Sequence, residues 1–316
     1  MLYYNLIAIA AGLVSGLLQA ALSLPAAGGI LLAYIAPLPL FLAGLGLGVR
    51  GAILAVLVAG GLNVLFAGAG FAAVQAMFYG IPVVVICRQA LLSRTDAQGH
   101  ANWYPPGHLL LWLSGMAMAG LAIGLAGLSL FGDGLMAYLQ AVMAPFAEQF
   151  PDAEQREVLL ALVDYLPAFF AVSWSLGLIF NGALAQGLLV RFGYNVAPSP
   201  ELADIRLPMA WIGTLLAALL LSSLTGLLGV VGKTLAAIAI VPYFVLGLGV
   251  VHGFFRAWKG RLAILILFYG LLFLWPLPAF VAGLGLLNAV LRLARGNDLG
   301  NAGGAGDRGG SADKEE

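Results

Sequence analysis

Apolar residues in this chain come in long unbroken runs, covering 3–24, 29–49, 51–70, 71–92, 108–131, 166–191, 208–231 and 234–255. Crossing the roughly 30 Å hydrocarbon core of a bilayer takes about 20 residues of helix. Lipid offers no partner for backbone N–H and C=O groups, so a spanning segment must be helical or belong to a closed barrel. Each run has spanning length, and the pattern predicts eight long transmembrane helices. The first run is read as an uncleaved span rather than a signal peptide, because no positive residue precedes it and equally apolar segments follow at once. A ninth run, 262–291, carries Trp275-Pro276-Leu277-Pro278 in its middle. Two prolines that close break or sharply kink a helix, leaving either one kinked helix or a short helical hairpin. The predicted class is therefore an all-α polytopic transmembrane bundle of 8–10 membrane segments within residues 1–295.

Polar positions mark what lies between the runs. Segment 132–165 holds Asp133, Glu148, Asp152, Glu154, Glu157 and Asp164 against one Arg156, with Leu135, Leu139, Val142, Phe146 and Phe150 at helical spacing. It predicts two amphipathic helices outside the bilayer, the first ended by Pro151 and the second capped by Asp152. They serve as a solvated connector or as a lid over an outward-facing cavity. Residues 296–316, Gly-rich and polar, bury too little to offset their ordering entropy and read as a disordered cytoplasmic tail.

Charge placement supplies the orientation. With the N-terminus inside, the inner loops hold Arg50, Arg88, Arg94, Arg191, Arg206, Arg256, Lys259 and Arg261, and the outer loops only Arg156 and Lys233. A C-terminal hairpin adds Arg292, Arg295, Arg308 and Lys314 to the inside, whereas a single ninth crossing puts them outside. Basic residues favour the cytoplasmic side, so the hairpin and two cytoplasmic termini are expected.

Composition narrows the chemistry. Residues are 62% hydrophobic and 9% charged, where a soluble domain carries about 25% charge. A soluble fold, a disordered chain and a nucleic-acid binder are thereby excluded. Fourteen basic and fourteen acidic residues cancel, so no net charge points to an anionic partner. The single cysteine, Cys87, permits no internal disulfide. The string Gly226-Leu-Leu-Gly-Val-Val-Gly-Lys-Thr234 is one residue out of register for a phosphate-binding loop and follows a span instead of a strand. The three histidines lie apart, and no span centre carries an Asp or Glu, so no metal, cofactor or catalytic group is expected.

Two constellations remain. Ala8, Gly12, Gly16 and Ala20 recur every four residues in the first span, a smooth stripe that suits either an internal seam or a docking face for a membrane partner. The spans also contain amides, Gln19, Asn63, Gln75, Asn181 and Gln186, with Ser15 beside the first. Unpaired polar groups in hydrocarbon are costly, so these are either interhelical hydrogen bonds or the lining of one polar cavity. The breaks at Pro37-Leu38-Pro39 and Gly80-Ile81-Pro82 free backbone groups of the kind that bind solutes in transporters.

The N-terminal block AGLVSGLLQAALSLPAAGGILLAYIAPLPLFLAGLGLGVRGAILAVLVAGGLNVLF and the C-terminal block PYFVLGLGVVHGFFR…FLWPLPAFVAGLGLLNAVLRLAR resemble the YybS-like family of bacterial integral membrane proteins. That family is similar to the substrate-binding S components of energy-coupling-factor transporters. The resemblance implies binding of a small nutrient and docking on a coupling subunit through the stripe Ala8/Gly12/Gly16/Ala20. The chain departs from those components in its additional C-terminal helices and in a stripe richer in Gly than in Ala. The leading expectation is a non-enzymatic membrane protein that binds or transports a small solute. The alternative is a scaffold or assembly factor acting through helix contacts.

Overall fold

The computed structural model describes residues 2–23, 27–202, 205–274 and 276–306. Its helices are α1 (Leu2–Ala20), α2 (Ala27–Ile35), α3 (Pro37–Leu47), α4 (Val49–Gln75), α5 (Ile81–Ala90), α6 (Pro106–Phe131), α7 (Leu135–Ala147), α8 (Ala153–Ala161), α9 (Leu166–Phe192), α10 (Ala210–Ser222), α11 (Gly226–Phe255), α12 (Arg261–Leu271) and α13 (Leu277–Gly306). The β-structure among these residues is one small hairpin, β1 (Ser93–Thr95) against β2 (Ala101–Trp103). The protein is an all-α polytopic membrane protein.

Among the described residues six helical stretches are long and apolar enough to cross a bilayer, and one of them holds two of the eight expected runs. The expected run 208–231 is interrupted: α10 stops at Ser222, and Gly226, at φ 66°, opens α11. The runs 51–70 and 71–92 join into one helical trace, Val49–Ala90, of 42 residues. At 1.5 Å per residue that is about twice the thickness of a membrane, and the trace is folded back on itself. Gly68 sits inside it at φ 86°, ψ 168°, a conformation essentially confined to glycine. Val56 and Gly80, equidistant in sequence from Gly68, are in contact across the fold. Two antiparallel arms therefore occupy this stretch. The same conformation recurs at Gly48 (φ 86°, ψ 177°) between α3 and α4 and at Gly134 (φ 88°, ψ 172°) between α6 and α7.

Two compact units divide the chain, residues Met1–Pro200 with Leu216–Ala239, and Glu201–Leu215 with Ile240–Glu316. In the first, α1 runs parallel to the first arm of α4: Gly12 meets Ala55, Gly16 meets Ala59 and Leu62, and Gln19 meets Asn63. The core gathers Leu40, Phe41, Ala52, Ala55, Val83, Cys87, Leu178 and Ala185 from α3, α4, α5 and α9. In segment 132–165, Asp152 caps α8 by accepting the Glu154 N–H at 3.0 Å. Leu139, Met143 and Val163 bury themselves against Val230, while Phe146 and Phe150 stay exposed. Lys233 pairs with Asp164 at 2.8 Å and lies 4.7 Å from the Tyr165 ring centroid.

In the second unit the run 262–291 is two helices, α12 and α13; Trp275 lies outside the described residues. Alpha-13 does not return toward the Arg256 end of α11. Gly247 abuts Val281 and Gly285 abuts Tyr243, so α13 starts near that end and runs antiparallel to α11. The physical cause is the pair of glycines, which lets the two backbones touch. This differs from the returning hairpin expected from charge. The helix continues to Gly306, taking in the first part of the segment expected to be a disordered tail; residues 307–316 lie outside those described.

Candidate functional site

The site forms where two helix interruptions face α9. Pro82, in the first turn of α5, has no N–H to give the carbonyl four residues back, which is that of Phe78. Ala76–Gly80 widens into a π-helical turn, and the Phe78 carbonyl accepts the Trp174 indole N–H at 2.8 Å. At the other interruption Pro37 and Pro39 separate α2 from α3. There the Tyr34 carbonyl accepts from Asn181 Nδ2 at 2.7 Å, and the Ala36 carbonyl accepts from Ser15 Oγ at 2.7 Å. Asn181 Nδ2 also donates to the Gly177 carbonyl of its own helix at 2.7 Å. Each break is thus held by a side chain from a neighbouring helix.

Between the two breaks and α9 lies a cavity of about 360 Å³. Tyr34 and Pro37 line it from the first break, Gln75, Phe78 and Tyr79 from the second, and Phe170, Trp174 and Gly177 from α9. Gln75 is 5% exposed, and its Nε2 has no hydrogen-bond partner. A buried donor left unsatisfied costs about 1–3 kcal/mol. Among the described residues no Asp, Glu, Lys, Arg or His contributes to the lining. A second cavity, of about 340 Å³, shares Phe78, Phe170 and Trp174 with the first. The Phe78 and Phe170 rings meet edge to face at 5.6 Å. Apart from Trp174, whose N–H is engaged, its one polar side chain is Thr234, and that hydroxyl donates to the Val230 carbonyl at 2.8 Å.

The five amides do not meet in one place. Asn63 Nδ2 donates to Gln19 Oε1 at 2.6 Å, Gln19 Nε2 donates to Ser15 Oγ at 3.0 Å, and Ser15 reaches Ala36. That chain ties α4 and α1 to the break ahead of α3. Asn181 braces two residues of the cavity wall, Tyr34 and Gly177, from behind. Gln186 Nε2 donates to the Ala197 carbonyl at 2.7 Å, a bond shared with Asn195 at 3.1 Å, and so anchors the loop after α9. Gln75 alone among the five lines the cavity. The stripe is likewise taken up from within: Ala8, Gly12 and Gly16 are buried, and a Cβ on Gly12 would strike the Ala55 carbonyl of α4. Ala20, at the end of the stripe, is partly buried.

Sequence reasoning missed Tyr34, Phe78, Tyr79, Phe170 and Trp174. Aromatics in an apolar chain carry no mark of their own. The available signal was their position, since Tyr34 and Tyr79 each fall within three residues of a flagged proline. Among the described residues no three of His, Cys, Asp and Glu lie together.

Residues 12–288 match the model of the family described as predicted membrane protein (DUF2232). This chain belongs to DUF2232. The DUF2232 match takes in the whole cavity lining and extends through most of the crossing of α11 with α13. No curated protein and no solved structure matches the chain.

Proposed function

We propose that this DUF2232 protein binds a small solute within the membrane and carries it across or passes it on, without catalysing a reaction. The observation that carries the reading is Gln75: a buried amide with an unclaimed N–H, in a cavity of about 360 Å³, where two interrupted helices meet. Ligand sites are concave, mostly apolar and at least about 300 Å³, with a few placed polar groups. Broken helices flank solute sites in transporters because their freed backbone groups can be used there. The resemblance in layout to the YybS-like family of bacterial membrane proteins, and through it to the S components, favours the same reading and a bacterial inner membrane, and the charge of the inner loops favours a cytoplasmic N-terminus. The scaffold reading leaned on the first-helix stripe, and α4 covers that face.

The test is to purify the protein without added ligand and analyse what accompanies it, beside a Gly177→Phe variant. A Cβ at Gly177 would already stand 3.3 Å from the Tyr34 ring, so Phe there fills the cavity. A small molecule that accompanies the native protein and is lost from the variant supports the proposal. Equal small-molecule content in both, with membrane proteins as the shared companions, supports the scaffold instead.

A further inference from the structure

We infer that the ligand of this cavity is an uncharged, ring-containing molecule that presents a hydrogen-bond acceptor to Gln75. The inference rests on the solute-site reading and adds the ligand's chemical class.

Three observations carry it. The first is charge. Among the described residues no Asp, Glu, Lys, Arg or His lines the cavity, and an ion taken out of water into such a place has no opposite charge to pair with. A charged solute is excluded on that ground. The second is the polarity of what remains. Trp174 spends its N–H on Phe78, and Asn181 spends its amide hydrogens on Tyr34 and Gly177. Beside the Tyr34 and Tyr79 hydroxyls, which can donate or accept, Gln75 Nε2 is left as a buried donor without a partner, and such a donor selects for an acceptor. The third is shape. Tyr34, Phe78, Tyr79, Phe170 and Trp174 line the cavity. Aromatic side chains favour stacked or edge-to-face contact with other rings. The neighbouring cavity of about 340 Å³ sets off this reading: it has rings in its wall too, but no unclaimed donor, and lipid chains suit it.

Cys87 provides the assay. It is the single cysteine and is fully buried, so a thiol-reactive dye reports unfolding on heating, and a ligand that binds the folded state raises the unfolding temperature. The full chain in phosphatidylcholine nanodiscs is heated with four probes built on one ring: acetophenone (a neutral acceptor), ethylbenzene (no acceptor), benzoate (an anion) and benzamidine (a cation). The expected result is stabilisation by acetophenone at a concentration about tenfold below that needed for ethylbenzene, the ratio one buried hydrogen bond gives, and none by the two ions. In Gln75→Leu, and in the nearly isosteric Gln75→Met should Leu disturb folding, acetophenone falls to the level of ethylbenzene. Benzoate or benzamidine acting as well as acetophenone overturns the inferred class while leaving a solute site in place. Equal effects of acetophenone and ethylbenzene on the native protein overturn the role of Gln75. No response to any of the four overturns the solute-site reading, and the inference with it.

Discussion

Gln75 and Asn63 are both buried amides on α4, 5% and 0% exposed, and each keeps one atom without a partner, Nε2 of Gln75 and Oδ1 of Asn63; they differ in what their N–H groups do. Asn63 donates into a chain of hydrogen bonds that ends on the Ala36 carbonyl. Removing it leaves Gln19 Oε1 without its donor. Gln75 Nε2 donates to nothing, and a leucine there loses no bond from that atom. Asn63→Leu should therefore lower stability by about 1 kcal/mol, within the range measured for helix-pair hydrogen bonds in membranes. Gln75→Leu should leave stability unchanged or raise it. Thermal exposure of Cys87 measures both, and a Gln75→Leu protein less stable than Asn63→Leu would mean that Gln75 is a packing residue. The sequence separates all these amides from their apolar surroundings, because polar atoms in a span are rare. It could not separate their roles, since their partners lie 44 residues away for Asn63 and 147 for Asn181.

At the scale of elements, glycine does two different jobs, and composition blurs them. Gly12 and Gly16 let α1 touch α4: a Cβ on Gly16 would stand 2.9 Å from a Leu62 methyl and 3.1 Å from the Ala59 carbonyl. Gly12→Leu together with Gly16→Leu should cost at least the roughly 1–3 kcal/mol of an overpacked site and give protein that unfolds on extraction. A variant that keeps native stability would place the stripe against lipid. Gly68 has open space around it, and what it supplies is a φ of 86°. Gly68→Ala should cost about 1–3 kcal/mol for strain in the fold-back. Gly61→Ala, also in open space but at ordinary helical angles, should gain about 0.5–1 kcal/mol. Opposite signs for the two alanines are the expected outcome, and a gain at both would remove the fold-back at Gly68. The proline breaks were legible because Pro leaves a carbonyl without its usual partner wherever it stands. Gly68 was not, among 43 glycines in the chain, though the division of 51–92 into two runs anticipated the reversal within a few residues.

At the scale of the whole molecule, charge and packing assign the last helix different directions. Charge alone favours a returning C-terminal hairpin, because it gathers Arg292, Arg295, Arg308 and Lys314 with the inner loops. The packing of α13 on α11 gives the other answer. Gly247 against Val281 and Gly285 against Tyr243 fix the direction of α13 over a full helical turn. A helix leaving the Arg256 end in that direction carries Arg292 away from it. The bias of basic residues is a tendency summed over loops, whereas two backbones in contact admit one direction. The packing is the stronger constraint. Single cysteines at Lys259 and at Arg292, introduced after Cys87→Ala, decide the matter. A membrane-impermeant maleimide should label one of them in intact cells and the other only in inverted vesicles. If both label from the same side, α13 returns to the Arg256 face, the crossing at Gly247 and Gly285 is not formed in the membrane, and Gly285→Leu should then be tolerated. If they label from opposite sides, Gly285→Leu should unfold the second unit, because the Tyr243 carbonyl already occupies the space a side chain would need.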